Sequence, residues 1–188
     1  MQRRKIYLAG PDVFLPDARE IGQRKCALCA SYGFEGLFPL DGTVDAPPGI
    51  AAAQAIYRGN LAMMRDADAV IANLTPFRGP GADPGTAFEL GFMAALGRPL
   101  LAYSNDPRPL LARVAAGQSL QRRADGAWAD ADGMEVEDFG LADNLMLDGA
   151  LREARTTIIV QDCDPSLRFT DLAAFERCLG LAWDSLVR

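Results

Sequence analysis

Residues 83–99 read DPGTAFELGFMAALGRP, and from 84 to 97 this run is apolar or small except for Thr86 and one charge, Glu89. Asp83 suits the N-cap of a helix, and Pro84 fits its first position, where the missing N–H costs nothing. Gly97 and Pro99 are placed to end it. Glu89 then falls in the second turn, one turn from Gly85, Thr86, Phe92 and Met93. A carboxylate among such residues is costly to desolvate unless it has partners or borders a cavity. The alternative is a half-exposed helix with Glu89 turned to water, against which stand Phe88, Phe92 and Met93, expected on the same side. Gly85 and Gly91 leave room for a ligand or a second strand close to the helix, or simply for tight packing. The chain contains no histidine, which removes Ser-His and Cys-His nucleophile machinery. A carboxylate beside a crevice then suits attack on a sugar anomeric carbon. There an anion stabilises an oxocarbenium-like transition state and can trap it covalently.

The elements that must hold Glu89 alternate between strand and helix. Residues 5–9 (KIYLA) form a short strand that stops at Gly10 and Pro11, and 17–32 has helical periodicity with Ile21, Cys26, Leu28 and Cys29 on an inner face. A second strand is expected at 36–40, a Gly-, Pro- and Asp-rich loop at 41–49, and a helix at 50–66. Residues 69–74 (AVIANL) are near-continuously apolar, as a buried parallel strand should be. The helix of Glu89 follows, then a fourth strand at 100–103. Residues 104–143, rich in Asp, Arg, Ala and Gly, read as an insertion with a helix near 108–118. An apolar pattern resumes at 144–151, an extra strand is expected at 156–160, and 170–187 is an amphipathic C-terminal helix. Alternating βα units predict one α/β domain over residues 1–188, a doubly wound parallel sheet with helices on both faces. Ligands of such sheets bind beyond the carboxyl ends of the strands, which brings residues 10–12, 41–45, 75–83 and 104–106 around one crevice.

Composition narrows the partners. A formal charge of −6 argues against general nucleic-acid binding. No apolar run reaches the length of a membrane span, and the N-terminus enters IYLAG too early for a signal-peptide core. A cytoplasmic protein is expected. Four cysteines do not make a disulfide framework. Cys26 and Cys29 form a lone CxxC in mid-helix, away from any strand-to-helix junction, which favours packing over redox or zinc chemistry.

Four stretches taken in order resemble the nucleoside 2-deoxyribosyltransferases: KIYLAGP, IYRGNLAMMRDADAVIANL, DPGTAFELGFMAALGRPLLAY and EDFGLADNLML. They are spread over most of residues 5–147. The resemblance implies a flavodoxin-like fold and cleavage of the N-glycosidic bond of a 2'-deoxynucleoside, with transfer of the deoxyribose to a free nucleobase. It makes Glu89 the nucleophile of a covalent sugar intermediate and gives Tyr7 the task of holding that carboxylate. It assigns Asp83 to sugar hydroxyls, although as a residue Asp83 is already explained as an N-cap. Gly10, Pro11, Phe14, Asn60 and Gly85 become substrate-binding positions. Asn144 and Met146 match a pair that reaches into the site of a neighbouring subunit, which implies a homo-oligomer. No metal or organic cofactor is implied.

One departure stands out. Where many members carry an aspartate that contacts the base, this chain has Asn60, which can hydrogen-bond a base but cannot protonate it. Asp66 and Asp68 lie further along the same segment, Asp68 in a turn or edge position. Related hydrolases of deoxynucleoside 5'-monophosphates place a serine six residues before the nucleophile. Here that position is Asp83, which would repel a phosphate. Hydrolysis of nucleosides stays open, as does, more remotely, a non-catalytic nucleotide-binding module. The latter lacks a GxGxxG fingerprint.

Overall fold

The structure, a computed structural model, describes residues 3–41 and 46–187. The expected crevice loop at 41–45 therefore lies outside the described residues except for Asp41. Five parallel strands form the central sheet: β1 (Lys5–Ala9), β2 (Glu35–Leu37), β3 (Ala69–Asn73), β4 (Leu100–Ser104) and, numbered in chain order, β8 (Ile158–Val160). Their spatial order is β2-β1-β3-β4-β8, the flavodoxin-like winding, with its switch point between β1 and β3.

Strand alternation divides the core in two. Ile6, Leu8, Ile71, Leu101 and Tyr103 face α1 (Ala18–Ser31) and α6 (Ala173–Leu186), where Cys29, Phe175, Cys178 and Leu179 meet them. Tyr7, Ala9, Val70, Ala72 and Ala102 face the other side, against Met64 of α2 (Ile50–Asp66), Leu90 and Met93 of α3 (Pro84–Ala95) and Leu151 of α5 (Leu145–Glu153). Among the described residues no helix is long and apolar enough to cross a membrane.

Most expected elements stand within two residues of their bounds. The second strand ends at Leu37 rather than at 40, because Phe38 and Asp41 close a turn: Asp41 N–H donates to Phe38 O at 2.9 Å, and Phe38 N–H to Asp41 Oδ2 at 3.2 Å. The strand expected from 156 begins at Ile158. Thr156 instead closes the end of α5, its N–H on Leu151 O and its hydroxyl on Leu100 O, both at 2.9 Å. The insertion holds more than one helix. After α4 (Leu110–Gly117) come three two-residue strands, β5 (Gln121–Arg122), β6 (Trp128–Ala129) and β7 (Glu135–Val136), in a small antiparallel sheet. Its two turns use Gly126 and Gly133 at φ 88° and 79°, a conformation glycine adopts without a Cβ penalty.

The expected packing role of Cys26 and Cys29 agrees with their position. Cys26 Sγ donates to Gly36 O at 3.5 Å, Cys29 is buried, and burial pushes their thiols up to about 11 and about 12. The helix α1 approaches its neighbour closely at Gly22, where an added Cβ would lie 2.5 Å from Cδ1 of the buried Phe38 ring. Gly22→Ala should therefore destabilise the protein by about 1–3 kcal/mol despite alanine's better helix propensity. Urea denaturation should show a lower midpoint at unchanged slope; an unchanged or higher midpoint would mean the ring moves freely aside.

Candidate active site

Helix α3 begins as its sequence dictates. Asp83 caps it, with Oδ2 accepting from Thr86 N at 2.9 Å and from the Thr86 hydroxyl at 3.1 Å, and Pro84 follows at the first position. The helix is less buried than its composition suggests. Thr86, Leu90 and Met93 face the core, while Phe88 is 49% exposed and stacks on Phe92 and against Tyr57 along the outer surface. Phe88 and Glu89 both turn toward α2, onto Tyr57 and Asn60, but Phe88 stays half exposed there. Glu89 turns inward all the same.

There the Tyr7 hydroxyl, on the face of β1 turned toward α3, donates to Glu89 Oε1 at 2.5 Å. Asn60, from α2, brings its Nδ2 to 3.5 Å from the same oxygen. Three elements so meet at one carboxylate. Burial is the main cause that lifts Glu89 from the usual 4.5 to about 7; the negative charge of Asp83 adds to it, and the Tyr7 and Asn60 hydrogen bonds oppose it. Tyr7 is raised far above the usual phenol value by burial first and then by Glu89, so it remains a neutral donor. A carboxylate poised near neutrality and pinned by one phenol is an available nucleophile.

The other expected positions divide. Gly10 and Pro11 are buried where β1 ends, and Gly10 admits no Cβ, which would fall 2.4 Å from Asp12 Oδ2. Phe14 stacks on Phe77 at 5.3 Å between centroids, and Phe77 meets Phe169 edge-on at 6.3 Å. Gly85 sits against the Asp83 carboxylate, whereas Gly91 faces open space, and no packing among the described residues requires it. Asn144 caps α5, its Oδ1 accepting from Met146 N at 3.0 Å and its Nδ2 donating to Glu137 Oε1 at 2.6 Å; Met146 is 72% exposed. Asp66 and Asp68 sit at the amino ends of the strands, ion-paired with Lys5 and Arg4 and so remote from the crevice.

Sequence reasoning missed two buried ion pairs. Lys25 meets Asp12 beneath the crevice, and Arg113 of the insertion meets Asp143 at 3.0 Å. Asp143 also accepts from Ala82 N and Asn144 N, tying the approach to α3 to the start of α5. The signal for Lys25 was present: Ile21, Lys25 and Cys29 are spaced by four along one helix face. Among the described residues no group of three or more metal-ligating side chains converges.

The family model for the nucleoside 2-deoxyribosyltransferases matches residues 6–146. The chain belongs to that family. A solved 2-deoxyribosyltransferase from Leishmania mexicana is 36% identical, with 94% of this chain and 97% of that one covered at a TM-score of 0.67. An uncharacterized protein of Schizosaccharomyces pombe is also 36% identical, over 78% of this chain and 76% of its own. A conserved protein from Enterococcus faecalis shares the fold at 17% identity and a TM-score of 0.55, with 96% and 99% covered.

The raised Glu89 carries a stability consequence. A carboxylate whose folded-state value lies above its unfolded value penalises the fold when ionised; that penalty is full above about pH 7 and disappears below the unfolded value of 4.5. Glu89→Gln removes the charge and should stabilise the protein by about 2 kcal/mol at pH 8, with the gain vanishing near pH 4.5. Equal denaturation midpoints for the two proteins at pH 8 would contradict the burial assigned to this carboxylate.

Proposed function

We propose that the protein moves 2-deoxyribose from a 2'-deoxynucleoside to a free nucleobase through a covalent sugar intermediate on Glu89. The observation that carries this reading is the inward-facing Glu89 carboxylate, with the Tyr7 hydroxyl on one of its oxygens. In the first half, a Glu89 oxygen attacks C1' as the C1'–N bond breaks, and the departing base takes the electron pair and a proton from water, since Asn60 has none to give. In the second half, a nitrogen of the incoming base attacks C1' and gives up its proton to water, and the Glu89 carboxylate leaves. Tyr7 fixes the direction of the nucleophile and stays protonated throughout. Asp83 receives both hydrogen bonds from Thr86 on Oδ2, which leaves Oδ1 to accept from a sugar hydroxyl. Its negative charge disfavours a 5'-phosphate, so nucleosides are the substrates.

The same reading makes the protein a homo-oligomer whose site is shared between copies. In support, α2 runs for 17 residues with Met64 as its only buried one, and Ile56, Tyr57, Phe88, Leu145 and Met146 are exposed on this side of the sheet. An apolar surface of that extent suits burial against a second copy.

Purified protein given deoxyinosine and adenine should yield deoxyadenosine by chromatography, and Glu89→Ala should abolish turnover while keeping the fold. Hypoxanthine with free deoxyribose and no deoxyadenosine would mark a hydrolase. Turnover by Glu89→Ala would remove the nucleophile assignment. The pH dependence follows from the same group: kcat/KM should rise with pH to a plateau, half-reached near 7, because only the ionised carboxylate attacks. Tyr7→Phe removes a hydrogen bond that favours ionisation, so its midpoint should move up by roughly one unit. A midpoint unmoved or lowered in that variant would separate Tyr7 from the nucleophile.

A further inference from the structure

The insertion closes on the start of α5 more fully than a helix start requires. Asn144 already caps α5 with its own Oδ1, and Leu147 N–H donates to Asn144 O at 3.0 Å. Two carboxylates take the amides that remain. Asp143 Oδ1 accepts from Asn144 N at 2.8 Å, and Glu137, just beyond β7, accepts from Leu145 N on Oε2 at 2.9 Å. The other Glu137 oxygen accepts from the Asn144 side-chain amide at 2.6 Å. With Oδ1 on Met146 N and Nδ2 on Glu137, the Asn144 side chain is pinned at both ends, and one Nδ2 hydrogen remains to give.

This grip is anchored in the insertion. Gly140 turns the chain at φ 68° between Glu137 and Asn144, and Leu110 N–H, at the start of α4, donates to Leu141 O at 3.0 Å. Arg113, one turn further along α4, reaches both Ala142 O and Asp143 Oδ2. The side chains of Arg113 and Asp143 are 2% and 3% exposed, and a buried pair of this kind is a weak source of net stability, which points to a geometric task. What the grip holds lies at the surface, with Met146 and Phe139 exposed beside Asn144. Among the described residues, neither Asn144 nor Glu137 bonds to the side chains of Tyr7, Asn60, Asp83 or Glu89. A side chain fixed at both ends yet unbonded to its own chain's site is set for another chain's.

We propose that Glu137 is a positioning residue: it fixes the Asn144 amide for the site of a neighbouring copy, so that the insertion of one chain serves the Glu89 of the next. Its use in turnover rests on the transfer reading and the shared site above; the fixing of Asn144 does not. Arg113 and Asp143 set the ground from which that amide projects. Glu137 acts through Asn144 and touches no substrate.

Glu137→Ala should lower kcat/KM for deoxyinosine about tenfold, and Glu137→Gln, which keeps an oxygen for the Asn144 amide, should restore most of that loss. Asn144→Ala combined with Glu137→Ala should cost no more than Asn144→Ala alone, since both act through one amide. Glu137→Ala chains co-expressed with Glu89→Ala chains under a second tag give mixed oligomers in which an intact Glu89 meets the intact Glu137 of a neighbour. Turnover per intact Glu89 should there exceed that of Glu137→Ala alone by at least about threefold. No gain in the mixed oligomers, full additivity with Asn144→Ala, or Glu137→Gln as slow as Glu137→Ala would overturn the assignment. So would an unchanged kcat/KM in Glu137→Ala, or a parent protein that is monomeric by light scattering.

Amide hydrogen exchange of the full chain reads the grip without activity. Glu137→Ala should speed exchange at residues 144–148 and leave 84–95 unchanged, and Glu137→Gln should speed it less. Unchanged exchange at 144–148, or faster exchange spreading through 84–95, would overturn the positioning role even in a protein that transfers sugar. The expected exchange pattern in a protein that turns over no nucleoside would uphold it while the transfer reading failed.

Discussion

The site depends on one hydrogen bond between secondary-structure layers. Tyr7 stands in the middle of β1 and Glu89 in the second turn of α3, so their 2.5 Å contact exists only where helix and sheet are packed in register. Burial makes the ionised carboxylate expensive, and the phenol lowers that expense without itself ionising. The outcome is an anion available near neutral pH at one fixed direction. The core residues Leu90 and Met93 continue α3 against the sheet and set that direction.

The crevice around this bond is joined from pieces far apart in sequence. Arg113 in the insertion holds Asp143, also donating to Ala142 O at 2.6 Å, and Asp143 in turn receives Ala82 N–H at 3.1 Å just before the α3 cap. The insertion is therefore mechanically continuous with the start of α3 and with Asn144 at the start of α5. Both Asp143 and Arg113 respond to being buried, Asp143 upward and Arg113 downward, with the opposite charge of the partner resisting each shift. Such a pair is costly to break from one side, since the remaining charge stays buried. It fixes a joint rather than adding bulk stability.

The parallel sheet was legible because its signals are local: near-continuous apolar runs at 69–74 and 100–103, Pro84 and Gly97 around a helix, glycine at the ends of strands. The inward turn of Glu89 was legible for a related reason, since it is the lone charge within an apolar helix. The small sheet β5-β6-β7 was not, because two-residue strands carry no periodicity. Tyr7 could be placed on a strand but not given a partner, since nothing in IYLAG says which layer covers it; that pairing came from the family resemblance. Lys25 was passed over because lysine is read as solvated by default, and only its partner Asp12, thirteen residues away, makes its burial tolerable. The exposure of Phe88 was not legible, because composition counts apolar residues without saying which neighbour, in the chain or beyond it, covers them.

Asn60 gives the physical logic of the departure from the usual aspartate. Its amide lies 3.5 Å from the Glu89 oxygen that also accepts from Tyr7. A carboxylate at that distance, joined to the charge of Asp83, would raise Glu89 further and leave little of it ionised at neutral pH. The amide instead favours the ionised carboxylate. Position 60 is therefore matched to the charge of Glu89: an amide there lets the carboxylate ionise closer to neutrality than a second acid would.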